Sequence, residues 1–203
     1  MHILHTLKFS TSANAMRDLP PDEGTEVAFA GRSNAGKSSA LNALAAHKGL
    51  ARVSKTPGRT QLINIFALDD TRRLVDLPGY GYAKVPIAVR DHWRGLVDSY
   101  LRHRTALKGI VLIIDARHPL KDFDRQMLDY SEAIALPCHC VLTKSDKLSR
   151  SEAARTLAHT RAELGADGPD ARVSVQLFSA TAKTGLDEAR DVVMRWLGPK
   201  PGA

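Results

Sequence analysis

Residues 31–38 read Gly-Arg-Ser-Asn-Ala-Gly-Lys-Ser, a set whose types and spacing can cradle phosphate. Gly31 and Gly36 let the backbone N–H groups of Arg32, Ser33, Asn34 and Ala35 converge on phosphate oxygens. The Lys37 ammonium would neutralise the β- and γ-phosphates, and the Ser38 hydroxyl would ligate Mg²⁺. The loop follows the apolar run TEVAFAG (25–31) and opens the helical pattern KSSALNALAA (37–46), so a helix N-terminus adds positive potential to those amides. Such a loop does not separate ATP from GTP.

A second set makes that choice. In TKSD (143–146), Asp146 can accept two hydrogen bonds, from guanine N1–H and from the exocyclic amino group, and adenine offers neither. Lys144 can lay its alkyl stem along the base, Thr143 can tie this loop to the phosphate loop, and Ser145 lies between Lys144 and Asp146. In FSATAKTG (178–185), which begins at Phe178, the Ala180 N–H would face the guanine carbonyl oxygen while Ser179 supports the Asp146 loop. The competing reading is a P-loop ATPase or small-molecule kinase, with Asp115 at the end of GIVLIID as the Mg²⁺-organising acid in place of Asp76 in VDLPGYGYA (75–83).

The elements that position these loops follow from periodicity. Strands are expected at 25–31, 62–68, 72–77, 109–115, 138–143 and 172–179, and helices at 37–46 and 86–102. Further helices run through Phe123, Met127, Tyr130 and Ile134, from a capping box at Ser149-x-x-Glu152, and from Thr184 to Leu197. Alternating strands and helices imply an α/β fold: a mostly parallel six-stranded sheet covered on both faces, with one antiparallel strand from the hairpin across DDT. The first ~20 residues and the tail GPKPGA are expected to be loosely held. The 203 residues, 43% of them hydrophobic, suit a single core. The amino terminus lacks the marks of a secretion signal and no run is long enough to span a membrane, which predicts a cytosolic protein without membrane contact.

Cys138 and Cys140 share one face of a strand and His139 takes the other, so they are expected to be small core residues, not zinc ligands. Trp93 and Trp196 fall on apolar helix stripes and are expected in the core, and His103 is expected on a solvated basic face. Charge is uneven. Residues 48–108 hold twelve Lys and Arg against five Asp, a net of +7 that equals the formal charge of the whole chain. A field so confined suits a polyanion such as RNA; a scattered basic surface is the alternative. Whether Arg32 meets phosphate or solvent is open.

In the order GRSNAGKSS (31–39), SKTPGRTQLIN (54–64), DLPGYGYA (76–83), TKSDK (143–147) and FSATAKTG (178–185), with KFSTSAN (8–14) as lead-in, the chain resembles a Ras-like GTPase domain. Within that class it is similar to the EngB (YihA/YsxC) ribosome-biogenesis GTPases. The resemblance implies a lead-in over 1–23, a G domain over 24–198 and a flexible tail over 199–203. It implies a first switch at Gly58, Arg59, Thr60, Gln61 and Leu62, with Thr60 reaching Mg²⁺ beside Ser38; Thr56 is the rival. Asp76 would hold Mg²⁺ through water, Leu77 and Pro78 lead into the turn, and the Gly79 N–H would sense the γ-phosphate.

Ras-like enzymes orient the attacking water with a glutamine just after that turn, where this chain has Tyr80. With Tyr82, Tyr80 would stabilise one switch state or face the ribosome. In potassium-stimulated relatives an Asn in the phosphate loop helps hold a monovalent cation, which makes Asn34 together with Lys37 the catalytic expectation and K⁺ a second cofactor. A structural role, satisfying loop backbone groups, is the competing account of Asn34. The implied function is GTP hydrolysis to GDP by a monomer that times large-subunit assembly on rRNA and ribosomal proteins, with a link to cell division and septation. The alternative is an RNA-binding assembly factor whose nucleotide site is structural.

Overall fold

The structure is a computed structural model that describes residues 2–51, 62–79, 87–166 and 171–200. Seven strands form one sheet in the order β1-β3-β4-β2-β5-β6-β7. They are β1 (Lys8–Ala13), β2 (Thr25–Gly31), β3 (Ile63–Ala67), β4 (Arg72–Asp76), β5 (Leu107–Asp115), β6 (Cys138–Thr143) and β7 (Val173–Leu177). The α-helices among the described residues are α1 (Lys37–Leu44), α2 (Ile87–His103), α3 (Asp122–Ala133), α4 (Arg150–Glu163) and α5 (Leu186–Leu197). β2 pairs in parallel with β4 and β5, and β6 with β5 and β7, while β3 runs against both β1 and β4. All six expected strands are present, and β3 is the single strand that opposes the rest.

Alternation along the buried central strands divides the core. Ile110, Leu112 and Ile114 of β5 join Leu96, Val97 and Tyr100 of α2 and Met127 and Leu128 of α3. Val111 and Ile113 point the other way, to Leu41 and Leu44 of α1 and Val193 and Leu197 of α5. Cys138 and Cys140 lie on the first face as free, buried thiols, with His139 on the second. Trp196 is half-buried on α5, while the Trp93 side chain lies outside the described residues. α4 opens as expected: the Ser149 hydroxyl accepts the Glu152 N–H, and the Glu152 carboxylate takes the Ser149 N–H at 2.8 Å.

The amino-terminal segment corrects the expectation of a loose lead-in. Residues 8–13 add a seventh, edge strand to β3, the Ser12 hydroxyl donates to Asn64 Oδ1 at 2.6 Å, and Leu4 and Leu7 are buried. KFSTSA hides as a strand because its outward face is solvated and only Ala13 is fully inside. Downstream, the Asp22 carboxylate takes the backbone N–H groups of Thr105 and Ala106 at 2.9 Å each.

Three cations of the basic segment prove structural. Arg104 forks onto buried Glu26 at 2.7 and 3.0 Å, Arg73 approaches the same carboxylate at 3.6 Å, and the Tyr100 hydroxyl donates to it at 2.9 Å. Arg72 pairs with Asp69 at 2.7 Å and donates to the Gly198 carbonyl. Such groups are tolerated inside because every charge has a partner. No helix among the described residues is long and apolar enough to cross a membrane.

Candidate nucleotide-binding site

Parallel strands end on one side of the sheet, and there β2, β4, β6 and β7 deliver their loops together. β2 stops at Gly31 and α1 starts at Lys37, with Asn34 at φ 62° and Gly36 at φ 103° turning the chain between them. The Asn34 side-chain amide makes no hydrogen bond to any described residue, so it does not serve the loop's own backbone groups. Lys37 Nζ bonds to Oδ1 of Asp76, which ends β4 and is 3% exposed. Lys37 and the acid of DLPG therefore neutralise each other, with Ser38 next along α1. Leu77 and Pro78 continue inward as buried residues, the Leu77 N–H reaching Phe29 O at 3.0 Å, and Gly79 follows half-buried.

Three loops are tied by side chains to each other's backbone. The Thr143 hydroxyl lies 2.5 Å from Ala35 O and 3.0 Å from Ile114 O, and Lys144 Nζ donates to Asn34 O at 2.6 Å and Asp115 Oδ2 at 2.9 Å. Ser145 bonds Phe178 O through both its N–H and its hydroxyl. The Ser179 hydroxyl donates to Asp146 Oδ1 at 2.6 Å, and that bond leads the causes that hold the Asp146 carboxyl below its ordinary range. The other Asp146 oxygen lies 3.5 Å from Lys147 Nζ. Ala180 stands half-buried at the lip, just past this contact.

Asp115 is already engaged. Arg117 reaches both its oxygens at 2.9 and 2.6 Å, and with Lys144 this outweighs the burial that would raise the carboxyl, holding it well below the carboxylate range. Asp76, not Asp115, is the acid beside Lys37. The Arg32 side chain is tied to α3 and the turn before it: its Nε lies 3.3 Å from fully buried Asp124 and its Nη2 donates to His118 O at 3.0 Å. Burial raises the Asp124 carboxyl against the opposing pull of Arg32. Nothing in the sequence announces this anchor, because its partners stand 92 residues apart. His103 is exposed, as expected. Gly58, Arg59, Thr60 and Gln61, with Thr56, Tyr80 and Tyr82, lie outside the described residues, and Leu62 re-enters just before β3.

Against known proteins, the model of a "50S ribosome-binding GTPase" family matches residues 26–144. A probable GTP-binding protein EngB of Stenotrophomonas maltophilia is 57% identical over 196 residues, which cover 97% of this chain and 98% of that one. Its counterpart in Aromatoleum aromaticum is 58% identical over 198 residues, covering 98% and 91%. Among solved structures, that of a probable GTP-binding protein engB superposes with a TM-score of 0.69 at 18% identity, covering 85% of this chain and 98% of the other. Era, solved with MgGDPNP and a piece of 16S ribosomal RNA, gives 0.67 at 18% identity, covering 89% and 59%. At such identity the two structures share the fold.

Proposed function

This chain belongs to the EngB family of GTP-binding proteins, a GTPase family, and from that premise we propose that it is a Mg²⁺-dependent switch in assembly of the large ribosomal subunit. The observation that carries the reading is the lacing of three loops at one sheet edge: Thr143 to Ala35, Lys144 to Asn34, and Ser179 to Asp146. That lacing supports the reading because the loops that would meet the guanine edge are tied to the loop that would cradle phosphate. Asp146 accepts from N1–H and the exocyclic amino group, Ala180 N–H donates to the carbonyl oxygen, and the Lys144 stem covers the base. The backbone N–H groups of residues 32–37 wrap the phosphates, and Lys37 exchanges Asp76 for the β- and γ-oxygens.

The donors present suit a hard dication: the Ser38 hydroxyl and the buried Asp76 carboxylate are both oxygen ligands, and phosphate binding would free the carboxylate from Lys37. Ser38 and Thr60 would hold Mg²⁺ directly and Asp76 through water, and when bound the ion spreads the charge of the transferring phosphoryl group. Gly79 N–H reads the γ-phosphate. With Tyr80 in place of a water-orienting glutamine, intrinsic hydrolysis is slow, and Asn34, whose amide the loop does not use, is offered to K⁺. Equal rates in Na⁺ and K⁺ buffers, unchanged by Asn34→Ala, would refute the cation role.

The partner reading rests on the family and on the basic character of residues 48–108. The protein acts in the cytoplasm as a monomer, its G domain spanning 24–198, and influences division and septation through ribosome supply. Calorimetric titration with GDP and ADP tests base choice, with GDP bound and ADP not. Sedimentation of large-subunit precursors tests the switch: more protein should travel with the particles in a GTP analogue than in GDP. Nucleotide-independent or salt-insensitive sedimentation sinks the assembly role.

A further inference from the structure

His139 is buried at 2% exposure on β6, and the nucleotide chemistry above makes no use of it. Its Nε2 lies 2.7 Å from Gln176 Oε1, and its Nδ1 2.7 Å from the Ser174 hydroxyl. On the far side of the same amide, Gln176 Nε2 donates to Gly185 O at 2.7 Å and Leu177 O at 3.2 Å. For a neutral ring, elimination fixes every proton along this path. Two carbonyls can face only the Gln176 NH₂ group, so the Gln176 oxygen must face the ring, His139 Nε2 must carry the hydrogen, and Nδ1 must accept from Ser174. Burial, the largest influence on the ring, favours that neutral form.

The path ends in the base-recognition loop. Gly185 opens α5 at φ 65°, where a Cβ would come 2.1 Å from Leu177 O and 2.5 Å from Gln176 Nε2. The loop it closes is cinched by the Ser179 N–H on Thr184 O at 3.0 Å, and Ser179 in turn holds Asp146. One uninterrupted path of hydrogen bonds thus runs from a buried imidazole to the last residue of the loop that presents Ala180.

We infer that His139, acting through Gln176, is a positioning residue that sets where the Ala180 N–H meets the guanine carbonyl oxygen. The inference rests on the reading of residues 178–185 as the base-contacting loop. Freed from the ring, the Gln176 amide can rotate, Gly185 loses its donor, and Ala180 drifts from the oxygen it must reach; Asp146, held by Ser179, stays.

Affinities of the full chain for GDP and 6-thio-GDP test it, because sulfur at that ring position is a poor acceptor and removes the interaction from the ligand side. His139→Leu and Gln176→Met should weaken GDP about fivefold to tenfold, the worth of one well-placed hydrogen bond, and leave 6-thio-GDP within about twofold. His139→Gln, whose amide N–H can replace the ring donor, should keep the wild-type GDP affinity. Ser174→Ala, at an exposed position, leaves the core intact; its loss of the Nδ1 partner should raise the GDP dissociation rate about twofold or more. Equal weakening of both ligands, no weakening in any variant, or failure of His139→Gln to rescue would overturn the positioning role while leaving base choice standing. A wild-type chain that does not prefer GDP to ADP would overturn the base-contacting reading itself, and this inference with it.

Discussion

Lys37 and Asp76 neutralise each other in a pocket where Asp76 is 3% exposed, so neither can be removed without consequence for the other. Lys37→Ala should abolish tight nucleotide binding and also destabilise the nucleotide-free protein by about 3 kcal/mol, the cost of orphaning a buried charge. Adding Asp76→Asn should recover most of that stability without restoring binding. Urea titrations in EDTA measure the first effect and fluorescent-nucleotide binding the second; a nucleotide-free Lys37→Ala as stable as wild type would mean the pair is not formed. At Asp146 the chemistry predicts a change of ligand. An Asn there would present an N–H where the carboxylate is proposed to accept, so Asp146→Asn should weaken GDP about 100-fold or more. It should gain affinity for xanthosine diphosphate, which carries a carbonyl in place of the exocyclic amino group, as competition titrations would read.

The edge strand and its approach are as much part of the fold as the phosphate loop. Leu4 is fully buried against the α1/α5 face whereas Phe9 is 56% exposed. Leu4→Ala should therefore cost about 2–5 kcal/mol, and Phe9→Ala, which gives up an edge-to-face approach to Phe66, no more than about 1 kcal/mol; urea midpoints separate the two. The turn between β3 and β4 adds a pH signature. Burial raises the Asp69 carboxyl, but hydrogen bonds from Arg72 and Thr71 prevail and bring it down to about 2. A depressed carboxylate contributes stability above its unfolded value of 3.8 and loses it as pH falls through about 2. Asp69→Asn should thus cost about 1 kcal/mol at neutral pH after solvent screening, and acid titrations of mutant and wild type should converge between about pH 4 and pH 2.

Why the sequence disclosed some elements and hid others follows from where their partners lie. CHCVLT was legible to its last residue because both faces are buried and turn residues bound it, and the α4 start because its cap is local. KFSTSA was not, since an edge strand needs little apolar alternation and its partner β3 lies about 50 residues on. The same limit divides the site. Gly31 to Ser38 and Thr143 to Asp146 are recognised by their spacing alone, whereas Arg32 on Asp124, Lys144 on Asp115 and Gln176 on Gly185 are facts of tertiary packing.

For the molecule as a whole, that packing redraws the charge map. Of the twelve cations in residues 48–108, Arg72, Arg73 and Arg104 are buried and paired, and Arg102 is held by Asp98 at 2.9 Å and lies over the Tyr130 ring. Lys48, Arg94 and Lys108 are exposed but sit on separate elements: after α1, on α2 and in β5. The side chains of the other five, Arg52, Lys55, Arg59, Lys84 and Arg90, lie outside the described residues, and their positions in the sequence flank the two loops proposed to read the γ-phosphate. Neutralising Arg52, Lys55 and Lys84 together should flatten the salt dependence of binding to large-subunit precursors, by about 0.7 to 0.9 in log–log slope for each RNA phosphate left without its cation. It should also erase the advantage of the GTP-analogue form and leave thermal stability unchanged. Arg104→Ala should do the reverse, since it takes from buried Glu26 its closest cation and leaves only Arg73 at 3.6 Å and the Tyr100 hydroxyl: folding stability falls by about 3 kcal/mol, while the salt slope of the folded fraction stays. If instead Lys108→Ala, at the opposite end of the sheet, flattened the slope and the triple variant did not, the RNA would be meeting the face remote from the nucleotide, and phosphate release could not act on it directly.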